Sequence, residues 1–173
     1  MINYLFITFF VILADQFSKF YIKSSFQENI TTNILGSFLR FNYINNPGIV
    51  FGIQVDSIFY YIVILLSLLI IIYISFLMKG MIHQNSNNSF GLISLALILG
   101  GAIGNIIDRL FVVFRLFDYS GVVDFISIGF GEYYRFPYIF NIADASVTIG
   151  ILVFIYYNYT QGRKLNNARA EEI

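Results

Sequence analysis

The chain has no cysteine and a single histidine, His83. No disulfide framework, thiol nucleophile or cysteine metal site can therefore be built, and one imidazole cannot hold a metal by itself. Charge is scarce as well. Only 12% of the 173 residues are Asp, Glu, Lys or Arg, and ten acids cancel ten bases. A neutral chain without a basic surface offers nucleic acid no electrostatic footprint. There is no HExxH zinc motif, and the one histidine lies in the polar stretch KGMIHQNSNN, which reads as a solvated loop and, in the layout derived below, falls at the wrong face of the membrane for a Ser-His arrangement.

What the chain has in excess is apolar surface: 58% of its residues are hydrophobic and 19% aromatic, with a mean hydropathy of +0.75. Soluble domains run at about 45–50% apolar and about 25% charged, so the composition points to a single integral membrane domain. Residues 2–22 are mostly apolar and long enough to cross about 30 Å of hydrocarbon. Nothing basic precedes this run and the bulky Phe17, Phe20 and Tyr21 close it, so it is expected to be a retained helix and not a cleaved leader. Residues 58–78 carry no charge and form the cleanest span. A polar loop over 79–89 returns the chain into a third span at 90–113, and a fourth is expected at 139–159, followed by a soluble tail. Segments 24–56 and 114–138 are too polar to span. Alternation and turn signals predict strands at 38–44 and 48–53, around Asn45-Asn46-Pro47-Gly48, and at 122–128. The expected fold is a mainly α membrane protein of four transmembrane helices with a small extracytoplasmic β-sheet. Arg163, Lys164, Arg169 and Lys79 argue for cytoplasmic termini, and the bias is weak because Lys23, Arg40, Arg115 and Arg135 lie on the other side.

In this layout the costly polar residues gather at one depth. Asp15 and Lys19, four apart, share a face near the outer end of span one, as a self-neutralising pair or as part of a site. Asn105, Asp108 and Arg109 share a face near the outer end of span three. Gly100 and Gly104 read as a helix-packing pair, and Asp108 beside Arg109 as a clamp on the following loop. Asn141 and Asp144 sit at the outer start of span four. Asn46 reads locally as a turn former. A proton or cation pathway, the alternative function, needs groups at successive depths, whereas one polar layer favours a site at the outer leaflet. If Asp124, on the strand at 122–128, folds over the start of span four, it meets Asp144. Two close carboxylates cannot both ionise easily, so together they supply an acid and a base able to hydrolyse an amide.

Five ordered motifs, DQFSK at 15–19, NPGIVFG at 46–52, GGAIGNIIDR at 100–109, VVDF at 122–125 and FNIADASVTIG at 140–150, resemble those of the lipoprotein signal peptidases, also called signal peptidase II. The resemblance covers nearly the whole chain. It implies an aspartic endopeptidase of the bacterial cytoplasmic (inner) membrane, acting near the outer leaflet without a cofactor. Its substrates would be prolipoprotein signal peptides, cut before the cysteine that carries diacylglycerol. Membrane lipids and globomycin-type inhibitors are further implied partners. It makes Asp124 and Asp144 the catalytic pair and Asn46, Asn105, Arg109 and Asn141 the substrate-binding residues, with Asp15, Lys19, Asp108, Gly101, Gly104 and Ala143 supporting the site. One departure is Ile49 and Val50, where the family commonly has two small residues; the bulkier pair bears on substrate preference.

Overall fold

The computed structural model describes residues 2–47, 57–83, 89–130 and 133–171. Among them are four helices, α1 (Ile2–Ser25), α2 (Ser57–His83), α3 (Ser89–Val113) and α4 (Ile142–Glu171), and four strands, β1 (Thr31–Leu35), β2 (Leu39–Asn46), β3 (Val122–Phe130) and β4 (Tyr134–Arg135). Each helix holds a stretch long and apolar enough to cross a membrane: Asn3–Ser25, Tyr60–His83, Ser89–Val113 and Ile142–Arg163. Their outer faces are studded with exposed Phe10, Phe17 and Phe20 on α1, Leu65, Ile72 and Phe76 on α2, and Leu152 and Ile155 on α4. A soluble protein rarely tolerates so large an apolar surface, but hydrocarbon solvates it at no cost.

The bundle is organised around α3, which packs on α1, α2 and α4. Some 61% of its apolar stretch is buried, against 22% or less for the others. Without a hydrophobic drive between helices in lipid, such closeness depends on small residues at the contacts. A Cβ on Gly100 would stand 2.7 Å from Val11 Cβ on α1, and one on Gly101 would collide with the carbonyl oxygen of Ala143 on α4. A Cβ on Gly104 would stand 2.6 Å from Asp15 Oδ2. The glycines thus serve two partners: Gly100 faces α1, Gly101 faces α4, and Gly104 makes room for a carboxylate.

The strands form one antiparallel sheet in the order β1-β2-β3-β4. β2 and β3 pair with Ile44 opposite Asp124 and Asn46 opposite Val122, with a register shift between Phe41 and Ile44. Val123 and Phe125 pack with Ile22 at the end of α1 and with Tyr43, which seats the sheet on the helix ends. Beyond β4 the chain returns to β3: Phe140 exchanges backbone hydrogen bonds with Ile126, its carbonyl accepting at 2.8 Å and its N–H donating at 3.1 Å. Asn141 follows immediately, and α4 starts there.

Several boundaries differ from the sequence expectation. The polar loop expected over 79–89 is helical as far as His83, so the histidine ends α2 instead of lying in a loop. α4 begins at Ile142 instead of 139, because Phe140 is held in the sheet and Asn141 caps the helix. The expected soluble tail continues α4 to Glu171. β1 and β4 were not anticipated: β1 is exposed along its whole length, so burial leaves no alternating pattern in its sequence, and β4 has only two residues. The strand expected at 48–53, including Ile49 and Val50, lies outside the described residues.

Overpacking at a helix contact costs about 1–3 kcal/mol. Gly101→Ala is therefore expected to lower the midpoint of thermal unfolding in detergent. Gly80→Ala, where an added Cβ meets nothing within 4 Å, is expected to hold or raise it. Equal midpoints for the two variants would contradict the close α3–α4 approach.

Candidate active site

Asp124 lies on β3 and is 3% exposed. Side chains alternate along a strand, so Asn46, diagonal to Asp124 across the β2–β3 pair, shares its face. Its Nδ2 donates to Asp124 Oδ2 at 3.0 Å. The other oxygen, Oδ1, accepts from Asn141 Nδ2 at 2.7 Å. Asn46 therefore does more than make a turn.

Asn141 is also the cap of α4. Its Oδ1 accepts from the N–H of Asp144 at 2.9 Å, and its own N–H donates to Asp144 Oδ2 at 3.2 Å. This is the reciprocal arrangement of a capping box, with an amide and an aspartate in place of the usual hydroxyl and glutamate. Asp144 Oδ1 accepts from Asn105 Nδ2 on α3 at 2.7 Å. Asn141 thus holds both acids, Asp124 through its side chain and Asp144 through its backbone.

Behind this pair lies an ionic cluster with no solvent exposure. Lys19 Nζ is 2.8 Å from Asp15 Oδ2 and 2.9 Å from Asp108 Oδ2, and it donates to Asn105 Oδ1 at 2.9 Å. Each of these acids also accepts a backbone N–H from another element, Asp15 Oδ1 from Ala143 at 2.9 Å and Asp108 Oδ2 from Val123 at 3.2 Å. Asp15 therefore satisfies one of the free donors in the first turn of α4, and Asp108 pins β3 beside the site. The expected clamp between Asp108 and Arg109 is corrected on one point: Asp108 does hold the following segment, but its cation is Lys19, which helix packing brings from 89 residues away in sequence. Arg109 Nη1 donates instead to the carbonyl of Asn105 at 3.1 Å, and its buried Nε has no partner among the described residues.

One residue of this layer was overlooked in the sequence. Gln16 Nε2 donates to Asp108 Oδ1 at 2.9 Å, to the Gly104 carbonyl at 3.0 Å and to Asp15 Oδ2 at 3.2 Å. A glutamine beside an aspartate in an apolar run was the available signal, because a buried amide must find partners. Among the described residues, no three His, Asp or Glu side chains are grouped as a metal site requires.

Burial is the largest influence on Asp124 and the neighbouring Asp144 carboxylate the next; together they push its pKa up to about 7, against the hydrogen bonds from Asn46 and Asn141 and the charge of Lys19. In the folded chain Asp124 therefore keeps a proton that the unfolded chain releases near the ordinary value of 3.8. Between these two values stability falls as pH rises, because only the folded state still binds the proton. Asp124→Asn removes this dependence. Its unfolding midpoint is expected to gain on the parent's from pH 4.5 to 7, whereas parallel curves would show that Asp124 ionises freely.

The chain matches the family model described as signal peptidase (SPase) II over residues 7–160. It is similar to proteins named lipoprotein signal peptidase from several bacteria. One from Listeria welshimeri is 35% identical over 93% of this chain and 96% of its own. One from Lactobacillus johnsonii is 36% identical over 88% and 90%, and one from Syntrophus aciditrophicus is 31% identical over 84% of each. Two solved structures titled as bacterial membrane enzymes, at 2.3 and 1.9 Å, superpose with TM-scores of 0.74 and 0.72 at 28% and 29% identity. The first covers 94% of this chain and 90% of its own, the second 90% and 92%. With a fold of four apolar helices and a small sheet, and with family and relatives matching along most of its length, the chain belongs to the signal peptidase II family of membrane peptidases.

Proposed function

We propose that this membrane peptidase removes the signal peptide of a prolipoprotein by cutting the bond before its diacylglyceryl-modified cysteine, with Asp124 and Asp144 as the catalytic pair. The observation that carries the reading is the double role of Asn141, whose Nδ2 holds Asp124 at 2.7 Å and whose backbone N–H holds Asp144 at 3.2 Å. Two acids joined through one residue at the edge of an apolar bundle can act on the same scissile bond.

Asp124, with a pKa near 7, carries the proton and donates a hydrogen bond to the scissile carbonyl, and Asp144 takes a proton from water. The resulting hydroxide adds to the carbonyl carbon, and the carbonyl oxygen takes the proton of Asp124. As the C–N bond breaks, the proton held by Asp144 passes to the departing cysteine nitrogen, and the oxygen returns its proton to Asp124. The products are a signal peptide ending in a carboxylate and a lipoprotein with a free amino terminus. The pair begins the next cycle in its starting protonation state, and titrates as a unit.

Asn46, Asn105, Arg109 and Asn141 bind substrate in this reading, with the Arg109 guanidinium available to a peptide carbonyl. The enzyme sits in the bacterial inner membrane with cytoplasmic termini, so the sheet and the acid pair meet the substrate at the outer leaflet, where its lipid anchor lies. A globomycin-type cyclic peptide occupies the same place.

Purified protein in detergent is expected to cleave a diacylglyceryl-modified prolipoprotein. Asp124→Asn and Asp144→Asn should each reduce the rate at least about 1000-fold, with the lipid-modified precursor accumulating in cells. Cleavage at the parent rate by either variant would overturn the assignment. Ion flux abolished by both substitutions, with lipoprotein processing intact, would mark a transporter instead.

A further inference from the structure

An ammonium group has three donors and no acceptor. Lys19 has three acceptors around it, Asp15 Oδ2 at 2.8 Å, Asp108 Oδ2 at 2.9 Å and Asn105 Oδ1 at 2.9 Å, and is itself fully buried. Two carboxylates are more than enough to neutralise one cation, so the third contact serves a different end. It goes to an amide, whose two ends are opposite in hydrogen-bonding sense.

Because Lys19 can only donate, Asn105 must turn its oxygen toward it. Its NH2 group then points the other way, onto Asp144 Oδ1 at 2.7 Å. Asn141 obeys the same logic. The N–H of Asp144 can only donate, so Asn141 Oδ1 faces it at 2.9 Å, and Nδ2 faces Asp124 Oδ1 at 2.7 Å. Asn141 Nδ2 also lies 3.1 Å from Asn105 Oδ1, so the two amides agree in direction. A flip of either would set donor against donor on one side and oxygen against carboxylate on the other.

We propose that Lys19 is a positioning residue for the acid pair, acting through Asn105: by occupying the oxygen of that amide, a buried cation on α1 directs the NH2 of Asn105 on α3 onto the carboxylate of Asp144 on α4. This rests on the reading of Asp124 and Asp144 as the catalytic pair. Without Lys19, the oxygens of Asp15 and Asp108 become the strongest acceptors near Asn105. Only the longer, uncharged contact from Asn141 Nδ2 at 3.1 Å then still opposes a flip of the amide; the NH2 group of Asn105 turns to the two acids and leaves Asp144 held on one oxygen only. The carboxylate then swings out of line with the water and the scissile bond.

A double-mutant cycle tests this, because residues acting through a shared contact are not additive. Full-length parent, Lys19→Met, Asn105→Ala and the double variant are assayed in detergent on a diacylglyceryl-modified prolipoprotein, with rates normalised to folded protein. A misplacement of a reactive group by about 1 Å costs about 100-fold. Lys19→Met is expected to lose kcat on that scale with KM within a factor of three, Asn105→Ala to lose at least as much kcat, and the double variant to be no slower than Asn105→Ala. A purely structural Lys19 would instead lower the yield and unfolding midpoint while kcat per folded molecule stays near the parent's. That result, or losses that multiply in the double variant, overturns the proposal. If Lys19→Met does not fold, Lys19→Gln takes its place in the same cycle, since its amide still donates to the two carboxylates but imposes no direction on Asn105. Activity surviving in Asp124→Asn or Asp144→Asn would defeat the catalytic reading itself, an outcome distinct from additivity in the cycle.

Discussion

A carboxylate taken out of water must be supplied with donors, and this requirement shapes the end of the bundle that carries the acids. Asp15, Asp108 and Asp124 are buried, and with Asp144 they draw their hydrogen bonds from five elements: Lys19 and Gln16 on α1, Asn46 on β2, Val123 on β3, Asn105 on α3, and Asn141, which caps α4, with Ala143 in its first turn. Three of the donors are backbone N–H groups, at Val123, Ala143 and Asn141. Backbone donors cannot rotate away, so each one ties the position of an acid to the path of a whole element. The polar layer is thus the means by which α1, α3, α4 and the sheet are set relative to one another.

Asn141 shows how economical the arrangement is. A helix start needs its free N–H groups satisfied, and Asn141 and Asp144 do this for each other. The same reciprocity aims the Asp144 carboxylate, whose second oxygen is left for Asn105. Because Phe140 is held against β3 at Ile126, the cap cannot drift from Asp124. Sheet pairing and helix capping, both local requirements of the backbone, together bring two acids of different elements to one residue.

The remainder of the chain supports this layer from two solvents. Lipid-facing side chains are large and exposed, while the inner contacts of α3 are glycines, where a Cβ would meet Val11, Ala143 or Asp15. Close backbone approach removes lipid and water from around the ionic cluster. In such surroundings the Lys19 contacts act over a low dielectric, and an error in amide direction costs more than it would at a surface.

Residue types and their periods announced the membrane class, the apolar runs, the place of Asn141 and Asp144 near the start of the fourth span and the strand around Asp124, since hydropathy and alternation are properties of neighbouring residues; the cap that Asn141 forms was not among them. They also placed every acid of the cluster at one depth. The partner of Asp108 could not be read this way: Arg109 stands next to it in the sequence, yet Lys19 reaches it across a helix contact that the glycines of α3 permit. Asn46 looked like a turn residue because its second role depends on the β2–β3 register, and Gln16 drew no notice because its acceptors lie mainly on α3. Chain chemistry alone therefore decided which groups had to be buried and satisfied. Which donor met which acceptor was decided by packing and strand register, because those contacts join residues far apart in the chain and no local pattern encodes them.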